Sequence, residues 1–387
     1  MIISLLVRAG GALASLVSTS MIISVLGLNL SGDYFTSVAY ALIVATCLSF
    51  GVNGVVVKYA KVLPQCRVGI IKFIIINLGI SFIPTLVLFF IIQMYVKIHT
   101  SILFMAISFS VAQAFHLLLL ARNKVNISYC SFNILPHLVV ICGMLIDSNY
   151  MFNYYIVSYL LSICLMMVFS SSEDDISNNS YRYELACFRE RANFFQQEIL
   201  GQAFTSITMV LISLNLNSSS VAIFNIYQKL SSVSNIILSV MNQSKLSKGL
   251  DMISSNKWYG LISLSNDIFV KSSIFLSIYT VAIVLMWDFI LINVFNINSI
   301  SVYPFVFLSL SYYLVAKANI ATYMLNACGC DEYIRNVSYV TFIVGLLLLL
   351  ILPSLFGIIG GVLSVGVMLV SQSFLVRMKF VKVFNVK

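Results

Sequence analysis

Apolar runs of about 20 residues, separated by short polar breaks, follow one another along the whole chain. A hydrocarbon core roughly 30 Å thick takes about 20 residues of helix to cross, so each run predicts one spanning helix. The runs lie at 2–27, 34–57, 70–94, 101–121, 127–146, 151–170, 192–214, 219–243, 268–294, 302–326, 336–353 and 356–376. Barrel strands would instead alternate over about 10 residues. The expected fold class is an all-α polytopic membrane protein, with about 12 transmembrane helices in two six-helix lobes and both termini cytoplasmic.

The longest polar stretch, 171–191, opens with Ser171-Ser172-Glu173-Asp174-Asp175 and divides the runs six and six. It sets an N-terminal lobe at 1–170, a cytoplasmic linker at 171–191 and a C-terminal lobe with a short cytoplasmic tail at 192–387. The end of the first span, Ser20-Met21-Ile22-Ile23 through Leu28-Asn29-Leu30-Ser31, is echoed by Thr208-Met209-Val210-Leu211 through Leu216-Asn217-Ser218-Ser219. Repeated halves are a common transporter plan. Pro84 and Pro136 should kink their spans. Pro353, Gly357, Gly360 and Gly361 must turn the last two.

Composition agrees with the pattern: 60% of the 387 residues are hydrophobic and 9% charged, with a mean hydropathy of +1.01. The formal charge of +9 is explained by topology rather than by nucleic acid. With the N terminus inside, Lys58, Arg67, Arg122, Lys124, Arg191, Lys245, Lys248, Arg335, Arg377 and Lys379 all fall on the cytoplasmic side. Only Lys97 falls clearly outside. Ala12-Leu13-Ala14 lies within the first apolar run, so that run reads as an uncleaved span. The eight cysteines lack metal-ligand spacing and suggest no disulfide framework.

Catalytic and cofactor chemistry finds no constellation. His99, His116 and His137 sit on separate stretches, and lone histidines of this kind are most often packing residues. There is no phosphate-cradling loop, and no cofactor is expected. The short external loops count against a membrane glycosyl polymerase.

Ionisable residues at membrane depth are therefore the best pointers to function. Lys271 and Asp288 lie near span ends, Asp288 beside Trp287, and are read as interfacial. Lys229 and Lys317 lie near mid-span. Around Lys229 the residues Asn225, Gln228, Ser232, Asn235, Ser239 and Asn242 recur every three or four positions, a polar stripe on one helix face. Such a stripe can bond neighbouring helices or line a wet lumen. The first span carries Ser4, Arg8, Gly11, Ser15 and Ser18 on one face. Glu198 either pairs with Arg8 or Lys229 or binds a coupling proton, and Asp288 is a weaker second candidate for coupling. Arg8, Lys229 and Lys317 against one acid describe a cavity that would attract an anion such as a diphosphate.

Arg8 on a small-residue face, the segment Leu26-Gly27-Leu28-Asn29-Leu30-Ser31-Gly32-Asp33-Tyr34, and Gly51-Val52-Asn53-Gly54 leading into Val57-Lys58-Tyr59 together resemble the Wzx-type O-antigen flippases. These belong to the multidrug/oligosaccharidyl-lipid/polysaccharide exporter superfamily. The resemblance implies flipping of undecaprenyl-diphosphate-linked O units across a bacterial inner membrane by alternating access. It also implies a central cavity lined by the first, second, seventh and eighth spans, with Arg8, Glu198 and Lys229 in it and Lys317 on its other lobe. An O-antigen polymerase and a chain-length regulator are the partners it suggests, and the chain is expected to act as a monomer in the bilayer. A drug antiporter of the same superfamily, a polymerase and a structural scaffold remain as alternatives.

Overall fold

A computed structural model describes residues 2–59, 67–95, 100–122, 124–170, 188–255, 258–298, 300–318 and 320–385. The expected linker is outside the described residues over 171–187, as are Lys97 and His99. Every described span is helical. Among the described residues, eight helices are long and apolar enough to cross a membrane.

Two of these eight reverse direction. In a straight helix, residues 18 and 34 would stand about 24 Å apart. Here Ser18 bonds His137, His137 lies 6.4 Å from Tyr155, and Tyr155 lies 6.1 Å from Tyr34. The chain therefore folds back near Gly27, whose backbone is at φ 73° and ψ 170°. The helix Asp331–Asn385 does the same at Gly357, at φ 58°. A Cβ on Gly360 would stand 2.1 Å from the Leu352 carbonyl oxygen, eight residues back, and Gln372 reaches Ser338 at 3.0 Å. Eight helices with two reversals give ten spans. Ser218–Ser254 and the pair Tyr303–Val315 and Ala321–Ala327 complete twelve.

The chain forms two compact units, 1–26 with 34–207 and 27–33 with 208–387. Residues 192–207, which the sequence reading groups with the C-terminal lobe, belong here to the first unit.

Within the first unit the spans are tied by small hydroxyl residues, as expected where apolar burial gives no drive between helices. Ser110 donates to the Ala45 carbonyl at 3.0 Å and Ser162 to the Ser131 carbonyl at 2.6 Å. His116 pairs with the Ser128 hydroxyl at 2.7 Å and stacks on Phe132. Pro136 follows a π-helical turn, Cys130–Ile134, which takes up the register change that a proline in a helix demands. Arg122 and Lys124 donate to the carbonyls of Ser170 and Phe169 at 2.8 and 2.7 Å. These two cations supply what the last carbonyls of Met151–Ser170 lack.

In the second unit the helices run past the expected span ends. Ser218–Ser254 and Trp258–Leu285 fill much of the polar segment between the eighth and ninth runs. Leu261, Leu264, Ile268, Met324, Phe380 and Phe384 form a buried apolar cluster at this basic end, and Leu246, Met252 and Ile253 pack on it. Polar residues interleaved with these apolar positions hide the helices from a hydropathy reading. Trp287 also departs from the interfacial role expected of it. It is 6% exposed, stacks on Tyr227 with ring centroids 6.0 Å apart, and donates to the Ile300 carbonyl at 2.7 Å. The rings it stacks on, Tyr227 and Phe305, are buried, so it packs the end of the ninth span rather than a headgroup layer.

Candidate functional site

The first unit brings together the second and seventh spans around Glu198. The chain breaks between the helices Ile2–Ser49 and Val52–Tyr59, with Phe50 at φ 36° and Gly51 at φ 76°. Only a residue without Cβ fits at 51, because a Cβ there would lie 2.1 Å from the Arg191 carbonyl oxygen. Gly54 likewise allows Phe194 to approach, at 2.2 Å from where its Cβ would be. Gly51-Val52-Asn53-Gly54 is thus the seat of the seventh span.

That seat delivers the Glu198 carboxylate to Ser49, whose hydroxyl donates to Oε2 at 2.8 Å. Oε1 is buried, and the Asn53 side chain and the Gly54 backbone N–H lie beside the carboxylate as further hydrogen-bonding partners. A buried carboxylate held by hydroxyl, amide and backbone groups is suited to take up a proton or small cation.

Arg191 is not legible in the sequence as part of this arrangement. The sequence places it among the charges on the cytoplasmic side, and in the fold it is 2% exposed. Its guanidinium donates to the carbonyls of Phe50 at 3.1 Å and Asn77 at 2.9 Å, and to the Ser81 hydroxyl at 3.4 Å. A break in a helix frees carbonyls, and an arginine with five N–H donors is the residue type that can collect them.

Arg8 lies with its guanidinium carbon 4.7 Å from the centre of the Tyr129 ring, a cation–π contact. One turn on, Gly11 meets the π-turn so closely that a Cβ would stand 3.2 Å from that of Asn133. The small face of the first span is therefore at least partly a packing face against the fifth.

In the second unit the polar stripe occupies Ser218–Ser254, capped by Asn217, which accepts from the Ser220 backbone N–H at 2.9 Å. Lys229 is half-buried, and Ser232 spends its hydroxyl proton on the Lys229 carbonyl at 2.7 Å. Asn225 is buried with its amide nitrogen unpaired, and Gln228 is half-buried. Ser231 and Ser234 add two buried, unpaired hydroxyls. The same turn that opens this helix meets residues 27–33: Ser218 bonds Asp33 and Ser219 bonds Asn29. The two echoed turns of the sequence thus touch each other.

Further along the helix, Asn235, Ser239 and Asn242 line a cavity of about 230 Å³. Of the expected cavity residues Asn225, Gln228, Ser232 and Asn235, this cavity takes only Asn235. Lys317 is exposed at the break between Tyr303–Val315 and Ala321–Ala327, with Nζ 5.8 Å from the centre of the Phe269 ring. It does not line the cavity, although its neighbour Ala318 does. Asp288 is exposed in the first turn of Trp287–Asn293, where a negative charge suits the helix dipole. Lys271 forms a 2.8 Å ion pair with Asp267 one turn away.

No protein-family model matches the chain, and no curated protein matches it in sequence. Solved structures do match it in shape. A lipid II flippase, MurJ, in an inward closed conformation superposes with a TM-score of 0.73 at 13% identity, over 98% of this chain and 87% of that one. An inward-facing multidrug resistance transporter of the MATE family in the MOP superfamily superposes with a TM-score of 0.68 at 14% identity, over 97% and 95%. The MATE multidrug transporter DinF-BH gives a TM-score of 0.63 at 15% identity, over 100% and 95%. This chain is a multi-pass membrane protein with the fold that these MOP-superfamily transporters and the flippase share.

Proposed function

We propose that the chain is a flippase that moves undecaprenyl-diphosphate-linked O-antigen units across the bacterial inner membrane by alternating access. The observation that carries this reading is Lys229, half-buried on a polar helix face near mid-span. A diphosphate must leave water while its lipid tail stays in the bilayer, and a lysine at that depth offsets the desolvation of the anion. The fold shared with a lipid II flippase supports a lipid-linked cargo.

Glu198 favours a second reading, a drug–cation antiporter, because a buried carboxylate suits a proton or an organic cation. The MATE-like shape of the chain is compatible with it.

The test is deletion of the gene in its host, with lipopolysaccharide displayed on a gel and lipid-linked sugars assayed by leaflet. Loss of the O-antigen ladder with single units trapped on the cytoplasmic face is the expected result. Units that reach the periplasm unpolymerised would point to a polymerase. An unchanged ladder would favour the antiporter.

A further inference from the structure

The cavity of about 230 Å³ lies wholly within the second unit and has no charged residue among the described residues of its wall. Asn235, Ser239 and Asn242 come from the eighth span, Thr322 and Tyr323 from the tenth, and Gln372 from the twelfth. Such a wall has nothing to neutralise a diphosphate and nothing to hold a cation by charge. Leu238, Val315, Ala318, Ile334 and Val376 complete the wall, so amides and hydroxyls alternate there with apolar surface.

The hydrogen bonds already made narrow the choice. Gln372 donates its amide nitrogen to Ser338 at 3.0 Å, and Ser338 passes its own proton to the Ile334 carbonyl at 3.0 Å. The Gln372 side chain is thereby held in place with its oxygen as acceptor. Ser239 gives its proton to the Ile236 carbonyl at 3.0 Å and keeps its lone pairs. Asn242 Oδ1 is buried without a partner. The cavity thus offers fixed acceptors at Gln372, Ser239 and Asn242 beside the amide N–H and hydroxyl donors of Asn235, Asn242, Thr322 and Tyr323, and it suits a neutral guest that carries several donors and acceptors.

Size narrows it again. Sites for drug-sized ligands run from about 300 to 1,000 Å³, and a single water needs only about 10–15 Å³ of such space. A volume of 230 Å³ falls between them, at one ring. Asn235 and Tyr323 are exposed and form the mouth, and the tyrosine ring offers a flat apolar surface.

We infer that this cavity is a binding subsite for one neutral sugar ring, recognised through its hydroxyl or amide N–H donors. The inference rests on the flippase reading for the source of the sugar, a residue of the lipid-linked unit.

The test is saturation-transfer NMR on the purified chain in detergent, with methyl glycosides of neutral hexoses and N-acetylhexosamines as probes. At least one glycoside should show ring-proton saturation that excess inorganic pyrophosphate does not compete away. Asn242→Leu and Gln372→Met, which keep side-chain volume, should each weaken it by about tenfold, the worth of one hydrogen bond. Asn235→Leu at the exposed mouth should weaken it without disturbing the helix interior. Saturation from no glycoside with folded wild-type protein, or saturation in all three variants equal to that of wild type, overturns the inference. The leaflet assay separates the two readings. Units trapped by gene deletion with no glycoside bound would sink the sugar subsite alone. A bound glycoside with units crossing normally in the deletion strain would sink the flippase and leave a sugar site.

Discussion

Ser49 donates a 2.8 Å hydrogen bond to the Glu198 carboxylate, joining the second span to the seventh inside the first unit. Glu198→Gln keeps an oxygen for Ser49 but cannot carry the charge. Expected is normal accumulation and thermal stability with most transport lost, read by the O-antigen ladder beside a melting curve. Full transport in Glu198→Gln would remove the residue from any coupling role.

Lys229→Ala should abolish O-antigen export while the protein still inserts and accumulates, and Lys229→Arg should retain a large part of it. An anionic guest tolerates exchange of one cation for another better than its loss. A normal ladder in Lys229→Ala would end the role given to this lysine.

Arg191→Ala would leave the carbonyls of Phe50 and Asn77 without their donor. Hydrogen bonds from a charged group are worth about 1.5–3 kcal/mol each, so the variant should melt well below wild type in detergent. Arg191→Lys should fall between, since an ammonium lacks the fork that reaches both carbonyls at once. Unchanged melting of Arg191→Ala would show that the clamp contributes nothing.

Gly357 turns the last two spans at φ 58° and ψ −139°, a region open to glycine alone. Gly357→Ala should cost about 1–3 kcal/mol and reduce the amount of folded protein, as measured by fluorescence-detected gel filtration. Gly79, which has open space where a Cβ would go, provides the control: Gly79→Ala should be neutral.

The twelve spans are legible in the chain because each apolar run has the length a bilayer demands, and the glycines at 27 and 357 mark the reversals. The basic-end extensions are not legible, because Leu246, Leu261, Phe380 and Phe384 are spaced among lysines, serines and asparagines. In the site, the stripe around Lys229 follows from three- and four-residue spacing, which is a property of one helix. Arg191 escapes that reading because its partners are main-chain carbonyls, which have no signature in residue type. The cavity escapes it too. Its wall converges from four stretches of helix far apart in the chain, and nothing in Gln372 or Thr322 alone points to Asn242.

The two compact units divide at residues 26/27, 33/34 and 207/208, and the last of these falls at the end of the π-turn Ala203–Ile207 inside the seventh span. A loop absorbs a change of backbone angle at little cost, whereas a helix in hydrocarbon has no water to receive a broken hydrogen bond. Any hinge in this protein must then be built from helix irregularities that exchange one internal hydrogen-bond register for another. Gly27 and the wide turn at 203–207 are two such elbows at the unit boundaries, and Arg191 anchors the stretch below the second. The seventh span accordingly carries, where the two units divide, one surplus turn of the kind that can be wound or unwound without exposing a main-chain group to hydrocarbon.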